Sequence, residues 1–248
     1  MITREELSEA SEKRKIGLYY AEKEYLQYIF LNAISKYSDK FSFKGGTCLR
    51  ICYGLDRASE DLDFSSTTNI KETKEIVNKC SKEFEHLNIN HQKIIEKEHK
   101  DNIRFEIRFE GPLFSGNPSS TNTLKIDFNK QKTIYKTAKV IQKVFSDVPM
   151  FVIMATDEKE ILAEKIRTLA NRKQSRDLYD IWMLISKGVT ADKKLINQKL
   201  KEENSNIKNI TIPSKEEYEL DLKNLVTTLP PYEQVKTEVM KFIESLKL

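Results

Sequence analysis

The chain has 248 residues, a net charge of +4, 39% hydrophobic and 32% charged residues, which suits a folded core and excludes wholesale disorder. The longest apolar run, 149–155, is too short for a membrane span, and the charged N-terminus lacks the features of a signal peptide. Three cysteines, three histidines and no Cys-x-x-Cys pair exclude a disulfide scaffold and argue against a conventional zinc site. We expect a cytoplasmic protein without a membrane segment.

The first part of the chain mixes helical and extended patterns. Apolar residues spaced three, four and seven apart predict helices, whereas strict alternation of apolar and polar residues predicts strands. The predicted helices cover residues 5–37, 47–53 and 70–84. The predicted strands cover residues 41–43, 62–64, 89–95, 103–109 and 124–128. Together these segments predict a small α+β sheet domain.

After about residue 149 the pattern is nearly all helical. Asp157 is a predicted N-cap for a helix over 158–171, and a second helix over 176–187 ends at Gly188. About three more helices are predicted from residue 191 onward. We therefore predict two domains, an α+β domain over residues 1–148 and an all-helical domain over residues 149–248.

Positive charge is concentrated in the middle of the chain. Residues 125–176 contain twelve Lys and Arg but only six Asp and Glu, whereas residues 191–248 contain ten of each kind. A basic segment of this kind would attract a partner that carries phosphate groups. An ordinary lysine-rich surface in contact with solvent explains the charge equally well.

Asp61 and Asp63 form the first candidate site. Residues two apart on a strand point to the same face, so these carboxylates lie side by side. Their mutual repulsion is relieved by a divalent cation, and Mg²⁺ prefers oxygen ligands, including phosphate oxygens. Asp127, on a later predicted strand, would add a third acid, and three acids can hold two metal ions for phosphoryl transfer. The alternative for each acid is a solvated strand end.

The second candidate is the turn Gly45-Gly46-Thr47, between a predicted strand and a predicted helix. Glycine lets the backbone approach a phosphate closely, and the N-terminus of the helix favours an anion. Thr47 would add a hydroxyl group, although an ordinary tight turn is the alternative. A strand, Gly-Gly-Thr, a short helix and then Asp-x-Asp is the layout of the nucleotidyltransferase superfamily of DNA polymerase β.

A basic segment supplies the third candidate. If residues 164–180 form one continuous helix, Lys165, Arg172 and Arg176 share one face. This stripe would face a triphosphate, RNA or simply solvent. Asp177 is predicted to begin the next helix, where a carboxylate suits the helix dipole.

Taken together, these segments resemble the AbiEii/AbiGii toxin family of nucleotidyltransferases, which includes the MenT toxins. The matching blocks lie within residues 43–64, 125–127 and 163–180, in the family's order. The resemblance implies an α+β nucleotidyltransferase fold, with a mixed sheet and flanking helices, followed by an all-helical C-terminal domain. It also implies transfer of a nucleoside monophosphate from a nucleoside triphosphate, with release of pyrophosphate.

The resemblance further implies roles for individual residues. Asp61 and Asp63 match the metal-binding acids, Lys165 matches the catalytic lysine, and Asp177 matches a late catalytic acid. Asp127 matches the third acid of the superfamily, and its role as metal ligand and general base is a hypothesis. The positions that match nucleotide-binding motifs are Lys44, Gly45, Gly46, Thr47, Arg57, Ser59 and Arg176.

Cofactors and partners are implied in the same way. They are Mg²⁺ or Mn²⁺, a nucleoside triphosphate, an RNA acceptor and an antitoxin encoded nearby. Several family members modify the acceptor end of transfer RNA, so we expect a tRNA-modifying toxin. The alternatives are transfer to protein hydroxyls or to a small molecule, and a non-catalytic module that binds nucleotides.

Overall fold

The computed structural model describes residues 1–246. Within them the helices are α1 (Arg4–Arg14), α2 (Leu18–Ile34), α3 (Gly45–Tyr53), α4 (Ile70–His86), α5 (Glu158–Asn171), α6 (Ser175–Ser186), α7 (Lys193–Glu202), α8 (Lys215–Leu222) and α9 (Tyr232–Ser245). The strands are β1 (Phe41–Lys44), β2 (Asp61–Ser66), β3 (Asn90–His91), β4 (Ile95–His99), β5 (Asn102–Glu110), β6 (Asn122–Asn129), β7 (Lys136–Ile141) and β8 (Phe151–Thr156). The chain divides into two compact units, and the second contains Leu55–Arg57 together with the residues from Asp157 onward.

The first unit is built on one mixed sheet. Among the described residues the strand order is β3-β5-β6-β2-β1-β8-β7, and β4 also pairs with β5. The pairs β2–β6 and β1–β8 are parallel, and the other neighbours are antiparallel. The parallel pairing brings β2 and β6 side by side although helix α4 and three strands separate them in the sequence.

One face of this sheet is apolar and buried. Leu62 and Phe64 of β2 are buried while Asp61 and Asp63 are half-buried on the opposite face, as the alternation predicts. The ring of Phe64 stacks on that of Phe128 with centroids 5.1 Å apart. Helix α2 packs against β6 and α4, so this core holds β2 in place.

The second unit consists of helices α5–α9 and contains a buried ion cluster. The ammonium of Lys199 lies 2.8 Å from Glu160 and 3.3 Å from Glu164, and Lys199 and Glu160 have no exposed side-chain surface. None of the helices within residues 1–246 is long and apolar enough to cross a membrane.

The predicted fold class, an α+β mixed sheet followed by helices, is confirmed, but several elements differ. Region 5–37 forms two helices because Lys15 adopts a left-handed conformation with a φ of 53° and ends α1. The segment 89–95 is split between β3 and β4. Strands β7 and β8 were not predicted, and because β8 pairs with β1 and β7, the first unit extends to Thr156, beyond residue 148.

Candidate active site

Three carboxylates lie on the polar face of the sheet in the first unit, which we call the acid face (Asp61, Asp63 and Asp127). The parallel register of β2 and β6 places Asp63 directly opposite Asp127, and Asp61 opposite Lys125. The three acids are half-buried, whereas Lys125 is exposed. The structure thus brings the three predicted acids onto neighbouring strands and onto one face.

Ionisation of Asp61 is less favourable in this environment than in water. Burial is the main reason that the pKa of Asp61 is raised; Lys125 opposes this effect, and the negative charge of Asp127 adds to it. A positive charge bound beside Asp61 would stabilise its ionised form. The acid face therefore has the electrostatic character of a site that accepts a cation.

The glycine turn lies against Asp63 of the acid face. Gly45 begins α3 with a φ of +80°, and a Cβ added to it would fall 2.3 Å from Oδ2 of Asp63. No side chain larger than that of glycine fits unless the carboxylate moves. The N-terminus of α3 therefore lies directly beside Asp63.

Thr47 and Ser59 connect α3 to the start of β2. The buried hydroxyl of Thr47 donates a hydrogen bond to the carbonyl of Asp61 and lies 2.9 Å from Oγ of Ser59. The amide of the buried Gln27 donates to the carbonyls of Ser59 and Glu60. Thr47 and Ser59 therefore position the backbone that carries Asp61. Of the other predicted turn residues, Lys44 donates to Oε1 of Gln131 at 2.9 Å.

Arg104 is a contact that the sequence did not reveal. It lies opposite Asp127 in the antiparallel pair β5–β6, and its Nε and Nη2 donate to the two carboxylate oxygens at 2.8 and 2.9 Å. The hydrogen bond to Asp127 raises the pKa of Arg104, and burial opposes it. The only sequence signal was the alternation of charged and apolar residues along residues 103–109.

The second unit holds a row of five alternating charges, the charge row (Arg172, Asp177, Lys165, Asp180 and Arg57). Nζ of Lys165 lies 2.9 Å from Asp177 and 2.7 Å from Asp180. Arg172 donates to Asp177 at 3.0 Å, and Arg57 binds both oxygens of Asp180 at 2.7 and 2.8 Å. Predicted site residues Lys165, Asp177 and Arg57 thus meet in one row, through Asp180, which was not singled out.

The four buried members of the charge row are kept ionised by their pairing. Burial disfavours the charged forms of Asp177, Asp180, Lys165 and Arg57, but the partners outweigh it: the pKa values of the two aspartates are lowered, and those of Lys165 and Arg57 are raised. Asp180 has no exposed surface and Arg57 is 2% exposed. A buried ion whose partner was removed would therefore be strongly destabilising.

The chain breaks between the two helices predicted over 158–171 and 176–187, so the single helix that a shared basic stripe would require does not form. Helix α5 ends at Asn171, Arg172 is extended, and α6 begins at Ser175. On a continuous helix Lys165 and Asp177 would be about 18 Å apart, whereas the break lets α6 turn back and bring them together. Asp177 lies in the first turn of α6, as predicted, while Arg172 pairs with Asp177 and does not form a basic stripe.

A divalent cation fits two of the three acids. Asp61 and Asp63 offer carboxylate oxygens, which Mg²⁺ prefers, and the missing side chain of Gly45 lets the carboxylate of Asp63 lie against the start of α3. Asp127 has both oxygens engaged by Arg104. Within residues 1–246 no three Asp, Glu, His or Cys side chains converge as a ready-made metal site. The pair fits a cation, and the full triad is not assembled for one.

Comparison with known proteins identifies the family. The family model for the nucleotidyl transferase AbiEii toxin of type IV toxin–antitoxin systems matches residues 29–245. The nucleotidyltransferase toxin MenT4 from Mycobacterium tuberculosis has a similar structure, with a TM-score of 0.75 and 16% identity over 100% of this chain and 90% of that one. JHP933 from Helicobacter pylori follows with a TM-score of 0.61 and 20% identity over 93% of each chain. No curated protein sequence matches the chain.

Proposed function

Because the chain belongs to the AbiEii family of nucleotidyl transferase toxins, we propose that it transfers a nucleoside monophosphate to RNA in the cytoplasm, at the acceptor end of tRNA. An acceptor hydroxyl oxygen attacks the α-phosphorus of a nucleoside triphosphate. Its proton passes to a carboxylate of the acid face, and the bond to the bridging oxygen breaks to release pyrophosphate. The type IV toxin–antitoxin family also implies an antitoxin partner.

The contact between Gly45 and Asp63 carries this proposal. It joins an anion-binding element, the N-terminus of α3, to a cation-binding element, the acid pair. A nucleoside triphosphate with its metal presents both charges together, so its phosphates meet the backbone N–H groups of Gly46 and Thr47. The metal would then be held by Asp61 and Asp63. Few other small substrates need both elements at such close range.

The cation has a limited part in this scheme. When bound, a divalent metal neutralises the phosphate charge and activates the acceptor hydroxyl. The chain itself orients the reactants: Thr47 and Ser59 hold the strand that carries Asp61, and Gly45 admits the close approach of the carboxylate. Holding the reacting groups in line contributes much of the rate enhancement in such reactions.

The charge row is the second part of the proposed machinery. Lys165 and Asp177 are proposed as catalytic residues, and Arg57 and Arg176 as residues that contact phosphate or brace the acids. Buried ion pairs contribute little net stability compared with apolar packing. What supports a functional role is that the row gathers Lys165, Asp177 and Arg57, which all match motif positions of the family.

Two exposed basic side chains beside the acid face favour a polyanionic acceptor. Lys125 is exposed opposite Asp61, and the Arg104 side chain is 44% exposed beside Asp127. Both can donate to phosphate oxygens of an incoming nucleic acid. An RNA acceptor should therefore bind less tightly as salt increases, since each phosphate contact releases counterions.

The test is transfer of label from each α-³²P nucleoside triphosphate to purified tRNA in the presence of Mg²⁺. Wild type is compared with Asp61→Asn and with Asp101→Asn, which changes an aspartate in an exposed turn. We expect label on tRNA with wild type and Asp101→Asn only, decreasing as salt is raised.

Different results would separate the alternatives. Label on protein or on a small molecule, with none on tRNA, would overturn the RNA acceptor and support the corresponding alternative. Equal transfer by Asp61→Asn and wild type would overturn the role of Asp61 as metal ligand. Substituting Mn²⁺ for Mg²⁺, or removing the divalent cations with EDTA, tests the metal requirement directly in the same assay.

A further inference from the structure

The strand register arranges the charged side chains on and around the acid face in rows across the sheet. One row across β2, β6 and β5 is Asp61, Lys125 and Glu106, so its charges alternate. The next row is Asp63, Asp127 and Arg104, so two acids stand directly opposite each other. Like charges opposite each other on a sheet are destabilising. The second row therefore needs a cation beside its acids.

Arg104 supplies that cation. It binds both oxygens of Asp127 in the fork geometry that makes arginine–carboxylate pairs strong and specific. The neighbouring Lys97 does not compete for Asp127, because its ammonium lies 2.7 Å from Glu106. A metal ion at Asp127 would have to share a carboxylate whose negative charge the guanidinium of Arg104 already neutralises, and it would lie close to that positive charge.

We propose that Arg104 takes the place of a second metal ion at Asp127, so that a single divalent cation, held by Asp61 and Asp63, serves the site. This inference rests on the proposed function. Arg104 acts as a positioning residue: it fixes Asp127 and keeps it out of the coordination of the metal. A guanidinium has five N–H donors, so Arg104 can hold Asp127 and still donate to a phosphate oxygen.

The predicted metal stoichiometry can be measured without turnover. Free Mn²⁺ is quantified by electron paramagnetic resonance during titration of the full-length protein. We expect one Mn²⁺ per wild-type chain, at least tenfold weaker binding by Asp61→Asn, and at most about threefold weaker binding by Asp127→Asn, which loses a nearby negative charge but no metal ligand. Arg104→Gln should bind Mn²⁺ at least threefold more tightly or acquire a second site. That gain should disappear in Arg104→Gln/Asp127→Asn.

Arg108→Gln is the matched control. Arg108 is exposed on β5, on the same face as Arg104 and four residues further along. Its replacement removes the same charge without touching Asp127, and the Mn²⁺ affinity should stay at the wild-type value. Thermal melting of every variant shows that each one is folded at the temperature of the titration.

The outcomes separate this inference from the proposed function. Two Mn²⁺ ions per wild-type chain, or equal weakening by Asp127→Asn and Asp61→Asn, would overturn the single-cation site. Absence of any Mn²⁺ binding by wild type would overturn it too, together with the metal role of the acid pair. The expected Mn²⁺ result with no label on tRNA would leave this inference standing and overturn only the RNA acceptor.

Discussion

Replacing Gly45 by alanine should inactivate the enzyme by displacing one carboxylate. The new Cβ would stand 2.3 Å from Oδ2 of Asp63, so the carboxylate must retreat by about 1 Å to reach an ordinary contact. A misplacement of about 1 Å in a catalytic site can cost about 100-fold in rate. The φ of +80° at Gly45 adds a backbone cost of about 1–2 kcal/mol for any L-residue.

Gly54→Ala separates the two effects. Gly54 ends α3 with a φ of +69°, yet a Cβ there meets nothing within 4 Å. Both variants should therefore lose about 1–2 kcal/mol of unfolding free energy, which lowers the Tm by roughly 2–8 °C in a protein of this size. Only Gly45→Ala should also lose transfer activity and Mn²⁺ affinity.

Three measurements decide the matter: thermal melting, Mn²⁺ titration and transfer of label to tRNA under identical conditions. Gly45→Ala with the kcat and Mn²⁺ affinity of Gly54→Ala would refute the reasoning, because the contact with Asp63 would then have no functional consequence. Equal loss of activity in both variants would refute it as well, since backbone strain alone would explain the result.

The other predictions concern buried charge. Asp61→Asn should abolish transfer. It should nevertheless melt at or above the wild-type Tm at pH 7 without metal, because the raised pKa of Asp61 means that its ionised form destabilises the fold. A lower Tm would contradict this. Arg57→Met should cost about 3 kcal/mol of unfolding free energy, because buried Asp180 loses both hydrogen bonds from Arg57 and keeps only Lys165 as a partner. Lys36→Met breaks an exposed pair with Glu83 and should cost at most about 1 kcal/mol. Equal losses in chemical denaturation would refute the contrast. Asp177→Asn should lower the Tm more at pH 7 than at pH 3. The lowered pKa of Asp177 adds stability that is present above about pH 4 and is lost as pH falls through the folded-state pKa. An equal loss of Tm at both pH values would show that the ionisation of Asp177 contributes nothing.

Local patterns in the sequence were sufficient for the acid pair. Alternation along β2 predicted that Asp61 and Asp63 share a face and that Leu62 and Phe64 are buried, and the structure confirms both. This succeeds because the period of a strand depends only on backbone geometry. The glycine turn was found for a similar reason, because a positive φ such as that of Gly45 favours glycine over other residues.

The pairing of Arg104 with Asp127 depends instead on long-range register. Alternation along residues 103–109 fixes the face of Arg104, but a shift of two residues between β5 and β6 would keep that face and give Arg104 another partner. The local sequence does not decide between these registers. The break between α5 and α6 was predicted from local patterns. The ion pairs of Lys165 with Asp177 and Asp180 across that break depend on tertiary structure, so the local sequence did not reveal them.

The segment Leu55–Arg57 restricts the chimeras that can be built from this protein. These residues belong to the second unit although the chain on both sides belongs to the first. Asp56 accepts a hydrogen bond from Tyr179, and Arg57 pairs with Asp180. A chimera joined only after Thr156 would combine Arg57 of one parent with the helices of another. Such a graft should fold only when the arginine from one parent matches the carboxylate from the other, so a working exchange has to transfer residues 55–57 together with the helices.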